Sequence, residues 1–417
     1  MHHSLIILLT IVLLGGCATP TWQSHPAPDE ATISRALNGS DQPVAIWDLP
    51  PESLPEFPVP QNVRPCCAFG NLQKVKVGPV PLPLFRLGNT VAPDKVGPHR
   101  FDGGTFTYTS SGMSGNNNRG SENNGVLYTA RGGFIDLAHV RDTADDTVAL
   151  FFQIFRHLGQ DHTIDLPNEI GQRYVRLHAF DVSGLSGQER WHLAAALAAR
   201  LAYFKAESHE IAQWHGYASF ASWPETVSAF SPEDLYSNML GAKLTLALIN
   251  AQLVLNDQLY NQSLTVWLDS ALAWLGEVDR KTSNALFDVV DGHWWDSSRP
   301  IPDKFMVLKR HYQMGDRQLP YLVPESMASG HEAWPRVAAL YSKPNTPHTL
   351  HLRATHLGLE LDSLGELVMK VSDDYAESFG DMPAELWQNG FTHREFGTIA
   401  SYAAQADAKQ LEALSTP

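Results

Sequence analysis

Apolar residues recur at helical spacing most clearly between Ser186 and Gly216. Leu193, Leu197, Leu201, Phe204 and Ile211 follow at steps of three, four or seven, and the Ala-rich run between them favours helix. Ser186 with Glu189 has capping-box spacing, and Gly216 is a C-terminal stop. Val126–Thr129 and Tyr174–Phe180 read as strands, and the apolar segments from Val75 to Leu87 as short strands or loops. Thr147–Leu158 continues as an apolar helix. Ser231 reads as an N-cap, Pro232 as the first helical residue and Asp234 as the closing acid of a box, opening a helix to Leu255. Residues 263–277 form another helix. Leu350–Leu361 alternates in period two, with a phase shift at Ala354–Thr355 that marks a bulge or bend. From Ser372 onward the chain reads as helical and solvent-facing. The pattern predicts an α+β fold, predominantly α-helical. Its helical core spans about residues 136–277, with short strands or hairpins on the N- and C-terminal sides.

The first residues stand apart. Leu5–Leu14 is a short apolar run of signal-peptide length, too short to span a bilayer. The junction Leu14-Gly15-Gly16-Cys17 resembles a bacterial lipobox, which implies cleavage before Cys17 and lipidation of that cysteine. Ala18, rather than Asp, then points to the outer membrane, facing the periplasm. Residues 18–62, with Pro50, Pro51, Pro55, Pro58 and Pro60, read as an extended Pro-rich tether, and 63–417 as a single large globular domain. Residues 102–125, rich in Gly, Ser and Asn, read as a surface loop or lid.

Composition narrows the function classes. Hydrophobic content of 43% and charged content of 18% are those of a globular protein. A net charge of −15 argues against nucleic acid and against an electrostatic grip on anionic lipid, leaving the Cys17 lipid as the membrane contact. The chain shows no P-loop, dinucleotide glycine fingerprint or Gly-x-Ser-x-Gly elbow.

Candidate chemistry concentrates in three stretches. Glu207–Gly216 packs His209, His215, Glu207, Glu210 and Trp214 into the end of the long helix, against the usual preference for cationic last turns. His209 and His215 lie roughly 120° apart around a regular helix, so they cannot grip one metal as an i, i+4 pair does. In the second stretch, a helix capped by Asp136 would place His139, Asp142 and Asp146 on one face; a later start at Thr143 would instead spend Asp146 on a cap. In the third, Glu233 and Asp234 are either cap and first-turn acids or a metal ligand from a third helix. Asn238 could serve either arrangement. Trp294 and Trp295 in Asp291–Asp296 anchor a loop or line a pocket. Cys66 and Cys67 are adjacent, which allows a redox or structural pair but is not a zinc-finger spacing.

These residues suggest a periplasmic metal-dependent hydrolase. Its ligands would be His139, His209, Glu233 and Asp234, with Asp142, His215 and Glu207 as secondary candidates, around zinc or another divalent transition metal. Glu210 would act as general base. The substrate would be a peptide, a peptidoglycan fragment or a phosphoester of the envelope. The alternatives are a non-catalytic envelope lipoprotein that binds a ligand or partner protein, and a thiol-based role for Cys66 and Cys67.

Arg64-Pro65-Cys66-Cys67-Ala68-Phe69-Gly70, Tyr128–Asp142, Glu207–Gly216 and Ser231–Gly241 together resemble a family of proteobacterial lipoproteins built on an uncharacterised domain, the domain of unknown function 4056. The resemblance covers most of the chain after the tether. It implies compartment and domain extent but no reaction.

Overall fold

The computed structural model describes residues 27–39, 53–64, 68–77, 80–104, 120–219 and 224–415. Cys17, Cys66 and Cys67 lie outside the described residues, as does the expected signal peptide. The main helices are α1 (Glu30–Asn38), α2 (Leu137–His157), α3 (Gly187–Trp214), α4 (Asp234–Asn250), α5 (Asp257–Leu275), α6 (Arg280–Val289) and α7 (Phe396–Ser415). The main strands are β1 (Gln73–Val77), β2 (Val80–Leu87), β3 (Val126–Thr129), β4 (Gly133–Asp136), β5 (His162–Leu166), β6 (Gly171–Leu177), β7 (Gly365–Val371) and the short β8 (Phe391–Thr392). The fold is α+β and predominantly helical, with small antiparallel sheets.

The strongest periodic signal becomes the central element. The Ser186 hydroxyl accepts from the Glu189 N–H, and the Glu189 carboxylate accepts from the Ser186 N–H, so the capping box forms. From Trp191 to Gln213 most α3 residues are buried, on every side of the helix. A helix enclosed this way needs neighbours all round. Helices α2 and α4, the sheet through β7, and α7 provide them. The sheet runs β8-β7-β6-β5 in antiparallel order, with Leu367 opposite Val175 and Val175 opposite Ile164. Those three side chains point into the main core.

The hairpin β3–β4 divides two apolar clusters. Its alternation sends Leu127 and Ile135 into the helical core, while Val126, Tyr128 and Phe134 enter a second cluster with Phe69, Phe287, Trp294 and Trp295. Both faces are therefore buried, which conceals the period-two signal of a half-exposed strand. At Gly133, φ is +68°, and a Cβ would stand 2.3 Å from the Tyr321 carbonyl oxygen. Only glycine fits that turn. The tandem tryptophans anchor their loop, with Trp295 Nε1 donating to the Phe287 carbonyl at 2.9 Å.

Helices α2 and α4 pack against each other, with Val140 in the first turn of α2 facing Gly241 two turns into α4. Gly241 makes this possible, since a Cβ there would lie 2.0 Å from the Val140 carbonyl oxygen. Thr143 Oγ1 donates to Asn238 Oδ1 at 2.8 Å across the same seam.

Several expectations change. The stretch read as an extended tether contains α1, whose Ile33 and Leu37 are buried against α4 and α5, and the buried Leu54 and Phe57. Pro-rich composition concealed an amphipathic helix of about two and a half turns, capped by Asp29. The capping box at Ser231 does not form. Phe230 adopts φ +56°, which turns the chain so that Ser231 Oγ donates to the Ser228 carbonyl, and α4 starts at Asp234 without a side-chain cap. Beyond Ser372 the chain makes 3-10 turns and β8 before α7 begins. Among the described residues, no helix is long and apolar enough to cross a membrane.

Candidate metal centre

Helix α2 starts at Leu137, and Asp136 is its N-cap. Its Oδ1 accepts from the Ala138 N–H at 2.6 Å and the His139 N–H at 3.4 Å. The Asp136 N–H in turn donates to Ser237 Oγ on α4 at 2.9 Å. His139 projects one turn on, and its Nε2 lies 3.3 Å from Oδ1 of Asp234, the first residue of α4. Asp136, His139 and Asp234 each offer a donor atom within 4.8 Å of the other two, and all three are buried. Two donors about 2.1 Å from one tetrahedral ion stand roughly 3.4 Å apart, which the imidazole–carboxylate separation matches. This group could hold a metal ion.

Further acids crowd the centre. Glu210 on α3 is fully buried, its Oε2 accepting from the Phe230 N–H at 2.5 Å while Oε1 has no hydrogen-bond partner among the described residues. Glu233 is 2% exposed, and its Oε2 is likewise unpartnered. Burial raises the pKa of Asp136, against the pull of His139. It holds Asp234 well above the usual carboxylate range, again against His139, with Glu210 and Asp136 adding to the rise. Glu233 is pushed well up by burial and then by Asp234 and Asp136. Burial works against the His139 imidazolium, but Asp234, Asp136, Glu210 and Asp142 together push it up to about 9. Buried carboxylates in such excess call for protons or for a cation.

Not every expected ligand reaches this point. His139 and Asp234 do, with Glu210 and Glu233 beside them. His209 is taken by other partners: Nδ1 lies 2.8 Å from Glu169 Oε1, and Nε2 lies 3.0 Å from Gln213 Nε2 and 3.7 Å from Glu225. Residues on a helix one position apart diverge by about 100°, so Glu210 faces the centre while His209 faces Glu169. Asp142 is held by Arg64, at 2.7 Å from the guanidinium and 2.9 Å from the backbone N–H. Asp146 binds Lys205 at 2.6 and 2.7 Å rather than capping a helix. Glu207 accepts from the Gly315 N–H at 2.5 Å, and burial pushes its carboxyl up to about 8. His215 lies flat on Phe379, with ring centroids 3.7 Å apart, and its Nδ1 faces the Ser378 carbonyl at 3.0 Å. Asp136 was legible as a cap, yet its i, i+3 relation to His139 at a helix start also predicts a shared site.

His215 makes a pH prediction. Burial pushes its imidazole down to about 4, so the folded protein holds it neutral. Its contribution is intact above the unfolded value near 6.5 and is lost as pH falls from there toward 4. Between pH 7 and pH 5 this removes on the order of 2 kcal/mol of stability. In His215→Asn the difference between urea midpoints at these two pH values should shrink correspondingly; an unchanged difference would assign the acid sensitivity elsewhere.

The fold and the buried acid–histidine group thus define an α+β protein with a candidate metal centre between two helix starts. A family described as a protein of unknown function (DUF4056) matches residues 54–324, well over half of the chain, and the chain belongs to that family. No curated protein and no solved structure matches it.

Proposed function

We propose that the chain is a metal-dependent hydrolase of the cell envelope, tethered to the outer membrane through a lipid on Cys17 and facing the periplasm. The observation that carries this reading is the grouping of Asp136, His139 and Asp234 amid surplus buried acid. One imidazole and two carboxylates suit zinc, manganese or iron. Held by Asp136, His139 and Asp234, an ion would supply Lewis acidity toward an electrophilic carbonyl or phosphoryl group. Glu210 then serves as base: the Phe230 N–H fixes one oxygen, and the other, without a hydrogen-bond partner among the described residues, takes up the proton. Peptide, peptidoglycan and phosphoester substrates all present such an electrophile.

Elemental analysis of the purified protein tests the reading. Stoichiometric zinc or manganese is expected, lost in His139→Ala but kept in His209→Ala. Glu210→Gln should keep the metal and lose roughly 10²–10⁴-fold in hydrolysis. A folded protein that takes up no ion under any loading condition would leave the non-catalytic, ligand-binding lipoprotein instead.

A further inference from the structure

The sheet β8-β7-β6-β5 buries one face in the main core through Leu367, Val175 and Ile164. Alternation turns Thr163, Asp165, Gln172, Tyr174, Arg176 and Lys370 to the other face. There the surface hollows into a groove of about 730 Å³, a size that accommodates a small organic ligand. Asn168, from the turn between β5 and β6, and Gln61 complete the polar lining. Of the eleven lining residues only Leu166 and Pro167 are wholly apolar. Peptide partners are anchored by apolar and aromatic side chains in pockets, and this lining offers them little. It suits a ligand that is itself polar on every side.

The side chains of Thr163, Asp165, Asn168, Gln172 and Lys370 make no hydrogen bond or ion pair among the described residues. The amides supply donors and acceptors, the Asp165 carboxylate accepts only, and the Lys370 ammonium donates only. Ring hydroxyls donate and accept at neighbouring positions, which matches this mixture.

Charge is the second guide. Arg176 and Arg394 share one carboxylate, Glu366, at 3.0 and 2.8 Å, and Lys370 has no counter-ion among the described residues. Arg176 is held further by Tyr174, whose hydroxyl accepts from Nη2 at 3.0 Å. The guanidinium carbon lies 5.6 Å from the Tyr174 ring centroid and the Lys370 Nζ 5.7 Å, so both cations gather at one ring. Arg173 takes no part, being spent on Glu169, Pro167 and Ser208. Asp165 is the one acid in the lining. On a chain of net charge −15 this patch is positive, and it complements an anion.

We infer that the groove binds a saccharide carrying carboxylate groups. Lys370 and Arg176 meet a carboxylate, while Asp165, Asn168 and Gln172 exchange hydrogen bonds with hydroxyls. The groove shares no lining residue with Asp136, His139 and Asp234, so it stands whether or not that centre holds an ion.

Calorimetric titration of the purified full chain with trigalacturonate, maltotriose and triglutamate is the test. Trigalacturonate should bind roughly tenfold or more tightly than maltotriose, a neutral trisaccharide, and than triglutamate, an acidic chain without hydroxyls. Lys370→Glu should weaken trigalacturonate roughly tenfold or more and leave maltotriose unchanged, whereas Gln172→Ala should weaken both saccharides several-fold. Both positions are exposed, so the variants should fold. Trigalacturonate that fails to bind, that binds no better than maltotriose, or that keeps full affinity in Lys370→Glu would overturn the inference. Triglutamate binding as tightly as trigalacturonate would reduce the groove to a charged patch and overturn it as well.

Discussion

Arg64→Met is expected to lower the unfolding free energy by about 3–5 kcal/mol, seen as a large fall in the urea midpoint. The Arg64 guanidinium has no solvent exposure and meets three carboxylates: Asp142 at 2.7 Å, Glu122 at 2.8 Å and Asp145 at 2.9 Å. These acids offset the cost of its burial and raise its pKa well above the ordinary value. Without it, Asp145 keeps His99 and the Tyr260 hydroxyl, and Glu122 keeps His99 and Arg141. Asp142 loses its guanidinium partner and keeps the backbone N–H of residue 64. Adding Asp142→Asn to Arg64→Met should therefore recover part of the loss. A near-wild-type Arg64→Met would mean that the network contributes little.

Gly241→Val is expected to cost more than about 3 kcal/mol and to abolish metal uptake by the proposed centre in any protein that still folds. The added Cβ would meet the Val140 carbonyl oxygen, which belongs to the α2 backbone and cannot swing aside as a side chain can. Relief requires α4 to move away from α2, and that movement opens the 3.3 Å contact between His139 and Asp234. Thermal melting and elemental analysis of Gly241→Ala and Gly241→Val read the two effects separately. An alanine variant with wild-type melting temperature and metal content would show that the seam has slack.

How much was legible depended on what each residue answers to. The α3 cap is local, so Ser186 and Glu189 could be paired from spacing alone. Strand β3 was read directly from Val126–Thr129, whereas its partner β4 and strand β7 were harder. They are buried on both faces or paired with distant strands, and neither leaves a clean alternation. The polar run Glu207–His215 drew attention for a sound reason but with a wrong unity. It belongs to an enclosed helix, so each polar side chain needs its own partner: Gly315 for Glu207, Glu169 for His209, Phe230 for Glu210 and Ser378 for His215. Those partners are from 20 to 163 residues away, beyond the reach of any spacing rule. Asp234 was named as a candidate ligand, but the choice between ligand and cap turned on the backbone of Phe230, whose left-handed turn cancels an otherwise well-formed capping sequence.

Asp136 and Asp234 each occupy the opening position of a helix, and the two helices meet at those openings. Peptide dipoles at such positions already favour negative charge. Both carboxylates are therefore fixed by backbone already in place, so an ion taken up by the proposed centre would need no rebuilding of the backbone around it.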